Sequence, residues 1–433
     1  IMNPNFGTNQ PLMPPDTRAL VVGTTADYIH WIRCACPGEA LFLTDQAVRR
    51  NAAEPPPLPS EEVCCDLTDY ASAQSALAHY LRRYGLTLEG VTCFDCESME
   101  LAAVLAQHLA LPYVSVHTVH NCRDKLRAKR LWRQHRLITP DAVAVRCVDD
   151  AVGFFEQAGG PVVLKPVRGS GSELVFKCDD APTCARSFDL ICQGLDRRHG
   201  HRMYASPLLP ESGIMAEKVA AGEEFSCDFT IDKGRVALIR LAQKIKTPGR
   251  PFGTATGYLL PTRLPEQVDP TIFALTLKQS ATALGIDRAV CMLDFMIHQG
   301  RISLLELAPR PGGDCLPFLI KHGFGVDMLK LLLDFCRRKP PPPGIPLDGK
   351  PLVGLRVHAR KGGILQRVDT RSLERDARVQ EISLTRGRGH CITLPPADYE
   401  SWLLGHIVFA PDASADVAVQ CNNLLDKIGV EVA

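Results

Sequence analysis

Over residues 17–117, short apolar runs alternate with amphipathic segments, and this limits the possible folds more than any other feature of the chain. The runs "RALVVG", "ALFLTD" and "GVTCFD" read as buried strands. Around them, "YASAQSALAHYLRRYG" and "SMELAAVLAQHLA" carry helical spacing, and "PPPLPSEE" is a loop. Strands alternating with helices imply a parallel, doubly wound sheet. Gly23 follows the first strand without a GxGxxG pattern, so nothing supports dinucleotide binding there.

With 433 residues, 45% hydrophobic and 22% charged, the chain has the composition of a soluble globular protein with several cores. A net charge of +1 implies no general attraction to nucleic acid or to an anionic membrane. No apolar run approaches the roughly 20 residues that span a bilayer. Residues 1–16 are polar and Pro-rich and read as a flexible lead-in, unlike a signal peptide. The 17 cysteines read as reduced thiols in a chain of this length, which makes the cytoplasm the expected location. A single CxxC, Cys93 and Cys96, lacks the second ligand pair of a zinc site and reads as buried thiols at a strand end.

From Asn121, "NCRDKLRAKRLWRQHRL" reads as one basic amphipathic helix. "GPVVLKPVRGSGSELVFKC" reads as strand, Gly/Ser loop, strand, and further strands turn at Ala221-Gly222 and Lys233-Gly234. "AVCMLDFMIHQGRISLLELAP" is a hairpin turning near Gly300. Residues 118–338 thus form a second domain, 339–351 a stiff Pro-rich linker, and 352–433 a β-rich domain closed by a helix.

Lys165 ends an apolar strand and delivers an ammonium to the mouth of a sheet. Gly169, Ser170, Gly171 and Ser172 follow, where close backbone approach, successive N–H groups and two hydroxyls suit an anion. The Walker pattern is absent, and such a turn can also be purely structural. In the hairpin, a three-residue loop Gln299–Arg301 pairs His298 with Ile302 and sets Asp294 opposite Glu306. Facing Cβ atoms lie about 4.5–5.5 Å apart, so the two carboxylates repel unless a cation sits between them. Magnesium suits that demand, while the plain alternative is an acid pair at a solvated edge. Arg310 follows Glu306 by four residues, between Pro309 and Pro311 and before Gly312-Gly313, on backbone too irregular for core.

In their order and spacing these features resemble the ATP-grasp superfamily over roughly Val21 to Phe335. The matching pieces are Asp124-Lys125, Lys165 with its Gly/Ser loop, "AEKVAAGEEFS", and Asp294 with Glu306 and Arg310. The resemblance implies an ATP-grasp fold: an N-terminal doubly wound domain, a mobile lid at about 140–212, a central antiparallel sheet and a small C-terminal β-rich domain. It implies that Lys125 and Lys165 hold ATP phosphates with Ser170, Gly171 and Ser172. Glu217 and the backbone of Lys218 and Val219 would read adenine, and Glu224 the ribose. Lys244, with Lys246 as rival, would be a further phosphate-facing lysine. Asp294 and Glu306 would bind magnesium, or manganese in its place, and Arg310 would face the reacting carboxylate.

One departure is Ala308, where the family carries a ligating Asn. With "PRPGG" following, this is similar to the L-amino acid ligase branch, as are "KTPGRPFGTATGYLLPTRLP" and "GLRVHARKGGILQRV". That branch often has a histidine where Tyr258 stands. The implied activity is an ATP-dependent ligation of a carboxylate to an amine through an acyl phosphate, with amino acids among the substrates. Neither nucleic acid nor membrane is an expected partner, and a homodimer is compatible with the family. Two alternatives stay open: a biotin carboxylase-like carboxylation, and nucleotide binding without catalysis.

Overall fold

A computed structural model describes residues 16–433 apart from residues 211, 342–343 and 345–348. The lead-in, save Asp16, and much of the Pro-rich linker lie outside the described residues. The N-terminal sheet has four parallel strands in the order Glu62–Cys65, Ala40–Asp45, Asp16–Val22, Leu86–Thr92. The chain leaves Asp16–Val22 to one side and later returns on the other. In open α/β sheets such a switch point opens a crevice beyond the strand ends. Here the crevice loops are Gly23-Thr24 and Asp95–Glu97. Asp95 ties them together, accepting from the Thr24 amide at 2.7 Å and the Ser98 amide at 2.7 Å. Gly23 has φ +73°, and a Cβ there would stand 1.8 Å from Ser98 Oγ, so only glycine fits.

The expected single helix from Asn121 is two helices, Val116–Arg123 and Lys125–Gln134. Asp124 divides them: its backbone is extended and its side chain accepts from the Arg127 amide at 2.8 Å, a strong N-cap. The break sets Lys125 at the first position of the second helix, facing the cleft. A small antiparallel sheet follows, ordered Ala142–Val145, Ile214–Lys218, Val162–Pro166, Phe176–Cys178. The helices Val148–Ala158 and Ala181–Arg197 pack on it around their own core. The small sheet in the region of the expected lid also takes in the strand Ile214–Lys218, beyond residue 212.

The central sheet has eight antiparallel strands. Arg301–Ala308 is at one edge, followed by Arg288–His298, Glu223–Asp232, Arg235–Ile245 and Gly257–Leu260. It continues without a break into Leu352–His358, Leu403–Phe409 and Val379–Leu384 of the C-terminal part. One face carries Phe225, Phe295 and Leu293 into the core, with Phe225 and Phe295 stacked at 5.8 Å. Alternation then turns Glu224, Asp294 and Lys244 to the opposite face. Among the described residues, no helix is long and apolar enough to cross a membrane.

Beneath the turn that follows Arg301–Ala308 lies a fully buried ion pair. Arg240 Nε donates to Asp228 Oδ2 at 2.7 Å, and neither side chain is exposed. Asp228 Oδ1 also accepts the Gly312 amide at 2.9 Å. A Cβ on Gly312 would come within 2.4 Å of Arg240 Nη2, which explains glycine there. The pair thus anchors the turn that carries Arg310. Removing one partner of a buried pair costs about 3–5 kcal/mol, whereas replacing both with apolar groups is often tolerated. Arg240→Met is expected to lose stability of that order in urea unfolding, with Arg240→Met/Asp228→Leu recovering most of it.

Candidate functional site

Two adjoining cavities occupy the face between lid and central sheet. The smaller, about 140 Å³, has apolar walls from Val163, Val175, Val219, Met296 and Leu305. It is also lined by Lys125, Lys165, Ser170, Ser172, Glu217, Glu224, Lys244, Asp294 and Glu306. The larger, about 450 Å³, runs from this cavity to the crevice of the N-terminal sheet. Gly171 and Arg310 line the larger one. Ser170, Ser172, Lys244, Gly253, Asp294 and Glu306 line both and form the neck between them. Lys218 is elsewhere: its side chain is exposed and pairs with Asp141 at 3.2 Å.

The cleft is a chain of paired charges. Lys165 Nζ donates to Glu217 Oε1 at 2.5 Å, and Lys129 Nζ lies 3.1 Å from Glu217 Oε2. The Lys129 angle leaves Oε2 without a hydrogen bond, so this buried oxygen can still accept from a ligand. Burial would raise the Glu217 carboxyl, but Lys165 and then Lys129 hold it down at about 2. Lys129, itself lowered to about 8 by burial against the pull of Glu217, was not among the expected residues. It stands one helical turn from Lys125 on the same face, and that i, i+4 spacing is the signal that could have found it.

Lys244 Nζ donates to Glu224 Oε1 and to Asp294 Oδ2, both at 2.7 Å. Lys246, its rival, reaches the other oxygen of Glu224 from a more exposed position. Lys125 Nζ donates to the Gly169 carbonyl at 2.9 Å and sits 3.5 Å from Glu306 Oε1. Burial works against the Glu306 charge, yet Lys125, Lys165, Arg310 and Lys244 together keep its carboxyl below the ordinary value.

Asp294 and Glu306 are cross-strand partners, though not by the expected turn. The hairpin loop is the two-residue Gln299-Gly300, both at positive φ, which pairs His298 with Arg301. The register then shifts between Asp294 and Phe295, with Leu305 as the extra residue, and this bulge restores the pairing of the two acids. The tight turn and the bulge offset one another. Asp294 Oδ1 is buried without a hydrogen-bond partner, an orphan acceptor beside a second carboxylate. This hard oxygen set suits magnesium, which takes one or two carboxylates and completes its shell with phosphate and water. Ala308 adds no ligand, and the described residues hold no cluster of three metal-ligating side chains.

Arg310 is buried rather than a surface cation. Its Nε and Nη2 donate to Cys96 Sγ at 3.1 and 2.9 Å, and Nη1 to the Pro311 carbonyl at 2.7 Å. Cys93 and Cys96 are both buried free thiols. Tyr258, in the larger cavity, is pushed up to about 12, chiefly by burial. The pair Arg356–Asp314, at 2.6 Å, joins the C-terminal part to the same wall. Glu97 and Asp314 belong to no quoted motif, and only folding brings them into one cavity with Arg356.

The cleft thus lies among three parts of the fold: the small antiparallel sheet, the central sheet and the crevice of the N-terminal sheet. Residues 158–317 match the ATP-grasp domain family. That match takes in much of the small sheet and the central sheet as far as the turn carrying Arg310. It is 28% identical over 200 residues to the D-alanine--D-alanine ligase of Verminephrobacter eiseniae, covering 44% of this chain and 55% of that one. It is 27% identical over 289 residues to carnosine synthase 1 of Homo sapiens, covering 64% of this chain but 34% of that one. The chain thus spans about half or less of these relatives' lengths. Among solved structures, the L-amino acid ligase from Bacillus licheniformis shares the fold with a TM-score of 0.75 at 19% identity, covering 96% of this chain and 99% of that one.

Glu217 is held well below its ordinary 4.5, so its pairing contributes stability that is full above that pH and fades as pH falls towards 2. Urea midpoints of the wild type should fall more steeply between about pH 5 and pH 3 than those of Glu217→Gln. Parallel profiles would show that the Glu217 ion pairs carry no net stability.

Proposed function

We propose that the protein is an ATP-dependent carboxylate–amine ligase working through an acyl phosphate. The observation that carries this reading is the neck. Lysines and acids suited to a triphosphate line one side, and a roomier cavity containing a buried arginine lies on the other. In the first step a substrate carboxylate oxygen attacks the γ-phosphorus, and the bond to the β-bridging oxygen breaks to release ADP. In the second an uncharged amine attacks the acyl carbon, gives up a proton, and phosphate departs with the bonding pair. The relatives named D-alanine--D-alanine ligase and carnosine synthase 1 support the same class. No observation favours carboxylation or a purely regulatory nucleotide site over this reading.

Lys125, Lys165 and Lys244 serve as phosphate partners, with Ser170, Gly171 and Ser172 covering the phosphates from the lid. Each lysine now lies against an acid, so phosphate would replace one anion by another at a site already desolvated. Glu217 Oε2, with the backbone near Lys218 and Val219, serves the adenine, and Glu224 the ribose. Asp294 and Glu306 would hold magnesium, which when bound supplies charge neutralisation between phosphate oxygens. Arg310 faces the carboxylate as negative charge develops, a role that suits a guanidinium fixed by Cys96 and Pro311. Lid closure would exclude water from a labile acyl phosphate.

Phosphate release across a matrix of carboxylates and amines with Mg-ATP tests the class; turnover that needs bicarbonate and biotin but no amino acid would replace it with carboxylation. Lys165→Ala should weaken ATP at least tenfold in direct titration while adenosine binding changes little, since a charge-assisted contact contributes roughly 1.5–3 kcal/mol. Arg310→Lys should lower kcat and kcat/KM together with nucleotide affinity unchanged, because lysine keeps the charge but loses the planar fork. Kinetics within about twofold of wild type would remove Arg310 from the chemistry.

A further inference from the structure

Next to the reaction cavity is another, of about 300 Å³, lined by Arg123, Arg168 and Arg202 with Glu97 and Glu100. Glu100 is already engaged, accepting from Tyr70 Oη at 2.8 Å and Ser206 Oγ at 2.7 Å, with His120 Nε2 at 2.7 Å. The arginines are not matched in this way. Arg202 donates to Ser98 Oγ at 2.7 Å, Arg123 to the Met203 carbonyl and Arg168 to the Pro210 carbonyl. Among the described residues, none of the three has a carboxylate within ion-pairing distance. Arg168 is only 5% exposed, and its Nη1 is buried without a hydrogen-bond partner.

A buried guanidinium with an unused donor is costly, and a second arginine beside it raises the cost. Burial first, and the Arg123 charge second, already draw Arg168 below the ordinary arginine value. Glu97 does little to cancel the charges near neutrality, since burial and then Asp95 push it up to about 7. The missing partner is an oxyanion, and planar guanidinium groups match a carboxylate best.

This cavity shares Cys96, Glu97 and Arg202 with the reaction cavity, and Cys96 is the residue on which the Arg310 fork rests. A substrate whose reacting carboxylate meets Arg310 can therefore extend past Cys96 towards the three arginines. We propose that this cavity holds the distal carboxylate of a substrate with two carboxylates, an acidic amino acid or an aliphatic dicarboxylate. The assignment of the anion as substrate rests on the ligase reading above; the anion site itself does not. Arg168 and Arg202 come from the lid and Arg123 from the core, so such a carboxylate also draws the lid down.

The test compares L-glutamate with L-glutamine, and L-aspartate with L-asparagine, as the activated carboxylate. Mg-ATP is supplied and hydroxylamine traps the acyl phosphate as a hydroxamate. The acids should show KM values at least tenfold below those of their amides. Arg168→Gln and Arg123→Gln should each raise KM for the acids at least tenfold and leave kcat/KM for the amides within twofold, with ATP affinity unchanged as the check on folding. Equal KM for acid and amide, or a preference that survives both substitutions, overturns the proposal while leaving the ligase reading intact. Should no carboxylate turn over, the ligase reading fails; calorimetric binding of glutarate that both variants abolish would still support the anion site. Binding of inorganic phosphate there with no response to glutarate overturns the dicarboxylate assignment.

Discussion

The cleft depends on one electrostatic arrangement: lysines and carboxylates taken out of water together and held against each other. Glu217 lies between Lys165 and Lys129, Lys244 between Glu224 and Asp294, and Glu306 beside Lys125. Neither set of charges could be buried alone, because an unpaired buried ion costs several kcal/mol. Paired, they form a preorganised site whose members can exchange partners. Phosphates would take lysines from carboxylates, and a divalent cation would take the carboxylates left behind. The exchange keeps the count of buried charges nearly balanced, so the desolvation cost is met in the fold and not at each turnover.

Around that arrangement the backbone is held by fully satisfied polar contacts. Arg240 and Asp228 lie under the Pro311–Gly312 turn and fix where Arg310 emerges. Cys96 and the Pro311 carbonyl then set the plane of its guanidinium. On the other wall, Asp95 pins the two crevice loops of the N-terminal sheet. The small sheet and its two helices, with their separate core, share few of these anchors.

Much of this was legible in the residues themselves. The doubly wound first domain followed from apolar period and turn composition, and the Gly/Ser loop, "AEKVAAGEEFS" and the hairpin followed from local patterns in a recognisable order. Where the structure differs from the sequence pattern, a local detail is the reason. The helix from Asn121 hides a break because its apolar spacing runs through Asp124, and only capping chemistry reveals two helices. The hairpin loop is one residue shorter than its spacing predicts, yet the acids still face each other, because a bulge that no local pattern announces absorbs the difference. Lys129 was within reach through its spacing from Lys125. Glu97 and Asp314 were not, since each is charged, outside the matched stretches and indistinguishable from surface.

The sequence by itself determined the elements and the residues whose chemistry depends on local backbone: Lys165 at a strand end, Gly171 in its loop, Asp294 and Glu306 on a hairpin. Short-range periodicity and turn preference act within a few residues, so they can be read along the chain. Only the tertiary structure decided which charges meet. Lys244 contacts an acid 50 residues away, and Arg310 rests on a thiol 214 residues away. Those pairings arise from sheet order and burial. Coulomb energy in a desolvated cleft depends on distance through space, and the linear order of residues carries almost none of that information.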